Sequence, residues 1–149
     1  MISQHLAEAL RDAGVRWQPA AGDRFVIPQP ELAGELFTLS EMTIEARDYP
    51  TGTILGFNGT TEWAMDSVAQ DDTLWMPRED QLRELLGGAF IGLTRSAVDP
   101  LDGDEAVRYT VTLQTPSGGV TEHVAQAAAD AYALAVLALV DLAVGERST

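Results

Sequence analysis

The chain has 149 residues, 46% hydrophobic and 21% charged, the balance of a folded globule that can bury a core without metal or disulfide staples. Nine basic residues, all of them arginine, stand against 23 acidic ones for a formal net charge of −14, and the chain has neither lysine nor cysteine. Those absences exclude a P-loop lysine, Schiff-base chemistry, a thiol nucleophile, zinc–thiolate and iron–sulfur sites, and disulfides.

In chain order, Ile2, Leu6, Ala9, Leu10 and Ala13 recur at helical spacing, with Ser3 as N-cap and Gly14 as the stop. Phe25-Val26-Ile27, between an acidic turn and two prolines, reads as a short strand. Met42, Ile44 and Ala46 alternate with polar neighbours, and Tyr49-Pro50-Thr51-Gly52 turns the chain back, which predicts a hairpin. A helix is expected over about residues 61–69, carrying Trp63, Met65 and Val68. A second helix opens on Pro77-Arg78-Glu79-Asp80, uses Leu82, Leu85 and Leu86, and stops at Gly87-Gly88. Phe90-Ile91-Gly92-Leu93 predicts a strand. Val107, Tyr109, Val111 and Leu113 lie on one face of the next, and a turn at residues 116–119 leads to Val120, Glu122 and Val124. The last helix, from Ala127 to Val144, is apolar on nearly all sides, so it is either central to the fold or half of a homodimer interface.

The fold class is therefore α+β, with antiparallel sheet covered by helices. One compact domain over 1–149 is expected, and its element order suggests two pseudo-repeated αβββα halves, 1–70 and 77–145.

So acidic a chain repels phosphate backbones and anionic membrane surfaces, which argues against nucleic acid and membrane as partners. A basic protein surface is the partner its field attracts, while solubility alone is the plainer use of the same charge. No basic segment leads into an apolar run at the start, so cytoplasm is expected.

Trp63, Met65, Trp75 and Met76 are the candidate binding residues, an apolar strip for a partner segment, with the competing reading that they are core. Glu62 and Asp66, four apart, are the candidate carboxylate pair for a metal or for acid–base work; Glu41 and Glu45 make a second pair. Asp99, Asp102, Asp104 and Glu105 surround Gly103 without the spacing of a calcium loop and read as a solvated turn. His123 is expected at the surface and His5 on a polar helix face.

Three stretches, residues 22–28 (GDRFVIP), 56–64 (GFNGTTEWA) and 75–83 (WMPREDQLR), resemble a group of short proteins from high-GC Gram-positive bacteria. Arginine without lysine, and 21 alanines, fit such a genome. Members of that group often carry the label of pilus-assembly proteins, yet the ATPase P-loop of the authentic component has no counterpart here, so no residue role is carried over. In size, acidity and element order the chain is also similar to the small dimeric chaperones of type III secretion, which hold a partner's extended segment.

These features lead to the expectation of a non-enzymatic, acidic, protein-binding module, adaptor or chaperone-like, without a cofactor. The alternatives are a carboxylate-based metal-dependent hydrolase on Glu62 and Asp66, and a mimic of nucleic-acid charge that occupies a basic protein.

Overall fold

A computed structural model describes residues 1–30, 34–39, 44–49, 52–57, 67–97 and 107–147. It is an α+β protein, with three α-helices and three three-stranded antiparallel sheets among the described residues. The chain divides into two compact units, 1–15 with 78–149, and 16–77. This division differs from the expected halves 1–70 and 77–145: the first helix groups with the C-terminal part, and the αβββα repeat is not reproduced.

The 16–77 unit is built on β1 (Arg24–Val26), β2 (Leu36–Thr38), β3 (Ile44–Tyr49), β4 (Gly52–Phe57), β5 (Ser67–Ala69) and β6 (Leu74–Trp75). One sheet has the order β2-β1-β6, the other β3-β4-β5. Phe25 stands opposite both Phe37 and Trp75, and directly opposed residues share a face, so three aromatic side chains line one side of the first sheet. Phe25 and Phe37 stack at 5.4 Å between centroids, and Trp17 tilts against Phe25 at 5.5 Å. Ile27 and Leu39 complete that cluster. β3 and β4 pair antiparallel as the expected hairpin, with Tyr49 opposite Gly52. Ser67–Ala69, expected to end a helix, instead pairs with Ile54, Leu55 and Gly56 as β5. Three residues fix no period of their own, and cross-strand pairing decides their conformation.

The other unit contains α1 (Gln4–Asp12), α2 (Glu79–Leu86), the meander β7 (Phe90–Ala97), β8 (Val107–Gln114) and β9 (Val120–Ala125), and α3 (Ala128–Arg147). The 115–119 loop between β8 and β9 is held by Thr115 N–H and Oγ1, which both donate to the Gly119 carbonyl, and turns at Gly118 with a φ of 90°. α3 packs against β8, β9, α1 and α2. That explains a helix apolar all round: Ala129, Ala131, Tyr132, Ala133, Ala135 and Val136 are all buried, and alanine lets neighbours on several sides come close. Its last turns are different, since Leu142 and Val144 are exposed. Ser3 caps α1 in conformation only; its N–H donates to Asp130 Oδ1 at 2.7 Å, tying the start of α1 to the first turn of α3. Among the described residues no helix is long and apolar enough to cross a membrane.

Candidate functional site

The residues singled out from sequence separate in the structure. Met76 was expected to be presented to a partner; at 3% exposure it belongs to the buried core instead. Trp75 packs on the aromatic cluster, and its indole nitrogen is buried with no hydrogen-bond partner among the described residues. Proline at 77 holds the preceding run extended, as expected, but β6 pairing with β1 turns that run inward. Trp63, Met65, Glu62, Asp66 and Glu41, and the acidic turn at 99–105, lie outside the described residues. Among the described residues, no group of three His, Asp or Glu side chains is placed to hold a metal ion.

His123 corrects a second expectation. Val120 and Val124 of β9 are exposed, and the register sets His123 opposite the fully buried Val111. Its ring is half-buried, hydrogen-bonded to Thr121 Oγ1 at 3.0 Å, and burial lowers its pKa from the ordinary value. A lowered folded value means that His123 contributes stability present above its unfolded pKa of about 6.5 and lost as pH falls through the folded value. The urea midpoint of the wild type should accordingly drop below about pH 6.5 by more than that of a His123→Gln variant. Parallel profiles for the two proteins would contradict this.

What the structure does assemble is a cleft of about 540 Å³ in the 1–15/78–149 unit, lined by Glu79, Asp80, Arg83, Glu84, Gly87, Phe90 and Tyr132. Its size is that of a small-ligand or side-chain pocket. Helix α2 supplies the charged wall. Glu79 and Asp80 sit in its first turn, where the helix dipole favours carboxylates, and Arg83 and Glu84 follow one turn later. Gln81 Oε1 accepts the Arg78 N–H at 2.9 Å, half of a capping box; arginine has no acceptor with which to return the bond. Arg78 also bonds Asp80 at 3.1 Å and holds that carboxyl below its usual range. Leu82 and Leu86, both buried, fasten the helix from its other side.

Phe90 reaches the cleft because of a backbone irregularity. Phe90 pairs with Leu113, but Gly92 and Leu93 pair with Thr112 and Val111, so Ile91 is an extra residue in β7. Without this bulge, Phe90 and Leu93, three apart, would face opposite sides; with it both share the face of the buried Val111 and Leu113, which is the side that α3 covers. The Phe90 ring then meets Tyr132 of α3 at 5.7 Å, and the guanidinium carbon of Arg83 lies 4.6 Å from its centroid. That is cation–π distance.

Tyr132 is only 4% exposed, yet it lines the cleft, and its hydroxyl has no hydrogen-bond partner among the described residues. Burial raises the phenol pKa; the Arg83 charge opposes that shift and the Glu79 charge adds to it, which places the hydroxyl within the field of the cleft's own charges. The phenol is thus neutral at physiological pH, able to donate one hydrogen bond and to accept others. Chemically the cleft combines carboxylates, an aromatic face and an unused hydroxyl, a set that solvates and stacks a cation. In the sequence Glu79 and Asp80 read as helix-start acids, and Tyr132 falls within a helix that is apolar on nearly all sides. Only the fold brings them together with Phe90.

No protein-family model, curated protein or solved structure matches this chain, and the reading of the cleft rests on its own geometry.

Proposed function

We propose that this chain is a non-enzymatic, acidic protein-binding module, adaptor or chaperone-like, whose partner presents a basic surface. The observation that carries this reading is the cleft beside α2, where three of the four charged lining residues are acidic, in a chain of net charge −14. Charge of one sign around a concave site raises the local concentration of oppositely charged partners and steers their approach. The binding surface is moved by this reading from the expected Trp63–Met76 strip to the wall of α2, because Met76 is core and Trp75 packs on it. Self-association through α3 would be confined to its exposed end at Leu142 and Val144, since the first half of that helix is buried within the chain.

The test is capture by the immobilised full chain from a lysate of the organism that encodes it, followed by mass spectrometry. One stoichiometric protein with a basic surface is expected at about 0.1 M salt, and its loss is expected near 1 M, where the screening length falls from ~10 Å to ~3 Å. A retained protein indifferent to salt, or none at all, would count against an electrostatically guided module.

A further inference from the structure

We propose that the cleft beside α2 is a receptor for a single arginine side chain of the basic partner, and that Arg83, lying over Phe90, is the chain's own occupant of that place, displaced when the partner binds. The inference rests on the reading of the chain as an acidic protein-binding module and names the chemistry of its site.

Three observations converge on it. The Phe90 ring already carries a guanidinium at 4.6 Å, so the aromatic face is demonstrably of the right size and accessibility for that planar cation. Arg83 makes no ion pair among the described residues and is exposed, so nothing but the ring retains it and it can swing outward with little loss. Tyr132 is 4% exposed and lines the same cleft as Glu79 and Glu84; its hydroxyl lies within the field of the Glu79 and Arg83 charges and makes no hydrogen bond among the described residues. A guanidinium entering from outside gains what Arg83, anchored on α2 itself, leaves unused: carboxylate acceptors at Glu79 and Glu84 and a hydroxyl acceptor at Tyr132.

Arginine is favoured over lysine on the same grounds. Its flat, weakly hydrated group stacks on a ring and offers five donors in a fixed fork, whereas an ammonium is a compact, strongly hydrated point charge. A hydrocarbon or an anion fits worse, since either would meet the carboxylates of Glu79 and Glu84 without compensating them.

The experiment titrates the full-length protein with three capped peptides of one sequence, carrying arginine, lysine or citrulline at the same positions, and follows the Arg83 side-chain signals by NMR. Protons held over a ring face resonate upfield. The arginine peptide is expected to move the Arg83 Nε–H and Cδ–H signals to free-side-chain positions in step with saturation. It should bind about three-fold more tightly than the lysine peptide and at least ten-fold more tightly than the neutral citrulline one. Tyr132→Phe, which removes only the hydroxyl, should weaken the arginine peptide about three-fold while leaving thermal unfolding unchanged, and Glu79→Gln with Glu84→Gln should weaken it about ten-fold. An arginine peptide that binds while the Arg83 signals stay in place, indifferent to these variants, would overturn the arginine receptor and leave the acidic module standing. Failure of both cationic peptides to bind would overturn both.

Discussion

Replacing Asp23 with alanine is expected to destabilise the 16–77 unit by about 3 kcal/mol, from two buried or part-buried donors left unpaired at ~1–3 kcal/mol each. The Asp23 side chain, 3% exposed, accepts the Trp17 indole N–H and the Ala20 amide at 2.9 Å each on the same oxygen, Oδ2. Around it the backbone is equally committed: Leu39 N–H donates to the Asp23 carbonyl, and Gly22 N–H to Leu39, both at 2.7 Å. Gly22, with a φ of 90°, supplies the left-handed residue this turn needs. One carboxyl group therefore fixes the indole that packs against Phe25, and with it the edge of the aromatic cluster. Trp17 and Trp75, the tryptophans among the described residues, both belong to this unit, so tryptophan fluorescence reports its unfolding. The urea midpoint of Asp23→Ala should fall sharply by that probe, and Asp23→Asn, which keeps an oxygen acceptor, should recover most of the loss. An alanine variant that unfolds with the wild type would show that the Trp17–Asp23 bond does not hold the cluster.

Leu82→Ala is expected to cost about 2–5 kcal/mol in the other unit, the range for truncating a fully buried leucine. Leu82 is 0% exposed and lies on the inner side of α2, the helix whose outer side carries Glu79, Arg83 and Glu84. Because α2 packs on α3, the cavity left by this truncation loosens the wall that faces Tyr132. Far-ultraviolet circular dichroism, dominated by the three helices, should show the lower midpoint, while the tryptophan signal follows the 16–77 unit. Leu85→Ala on the same helix is the control, for Leu85 is 43% exposed and its truncation should cost well under 1 kcal/mol. Equal effects for the two leucines would mean that α2 is not fastened as described.

The elements legible in the sequence are those where local chemistry and tertiary packing agree. The Pro-Thr-Gly turn announces the β3–β4 hairpin, acids at the start and paired glycines at the end bracket α2, and the all-round apolar character of α3 marks it as central. The α+β class followed from these. Where the letters misled, a longer-range interaction had decided the outcome. His123 reads as a surface residue, but the β8–β9 register sets Thr121 and His123 opposite the buried Leu113 and Val111. Trp75 and Met76 look presented before a proline, yet with β6 paired to β1 Met76 is core and Trp75 packs half-buried on the aromatic cluster. The cleft was less legible still. Its acids, arginine and phenylalanine lie within a dozen residues, but Phe90 faces Tyr132 only because Ile91 is bulged, and no residue type signals a bulge there. The Trp17–Asp23 bond joins two residues six apart with no motif between them. Its sole advance signal was an aspartate beside a glycine in a turn that leads into a strand.

The most direct test of the acidic-module reading compares capture by the wild-type chain with capture by the Glu79→Gln, Glu84→Gln variant, from the same lysate and over the same salt series. Both positions are exposed, so the variant should fold as the wild type does. The expected result is a basic partner that the wild type retains at about 0.1 M salt and releases near 1 M, and that the variant retains at least ten-fold less well at low salt. Equal retention by both chains, or a partner held just as firmly at high salt, would contradict the assignment of binding to the α2 cleft.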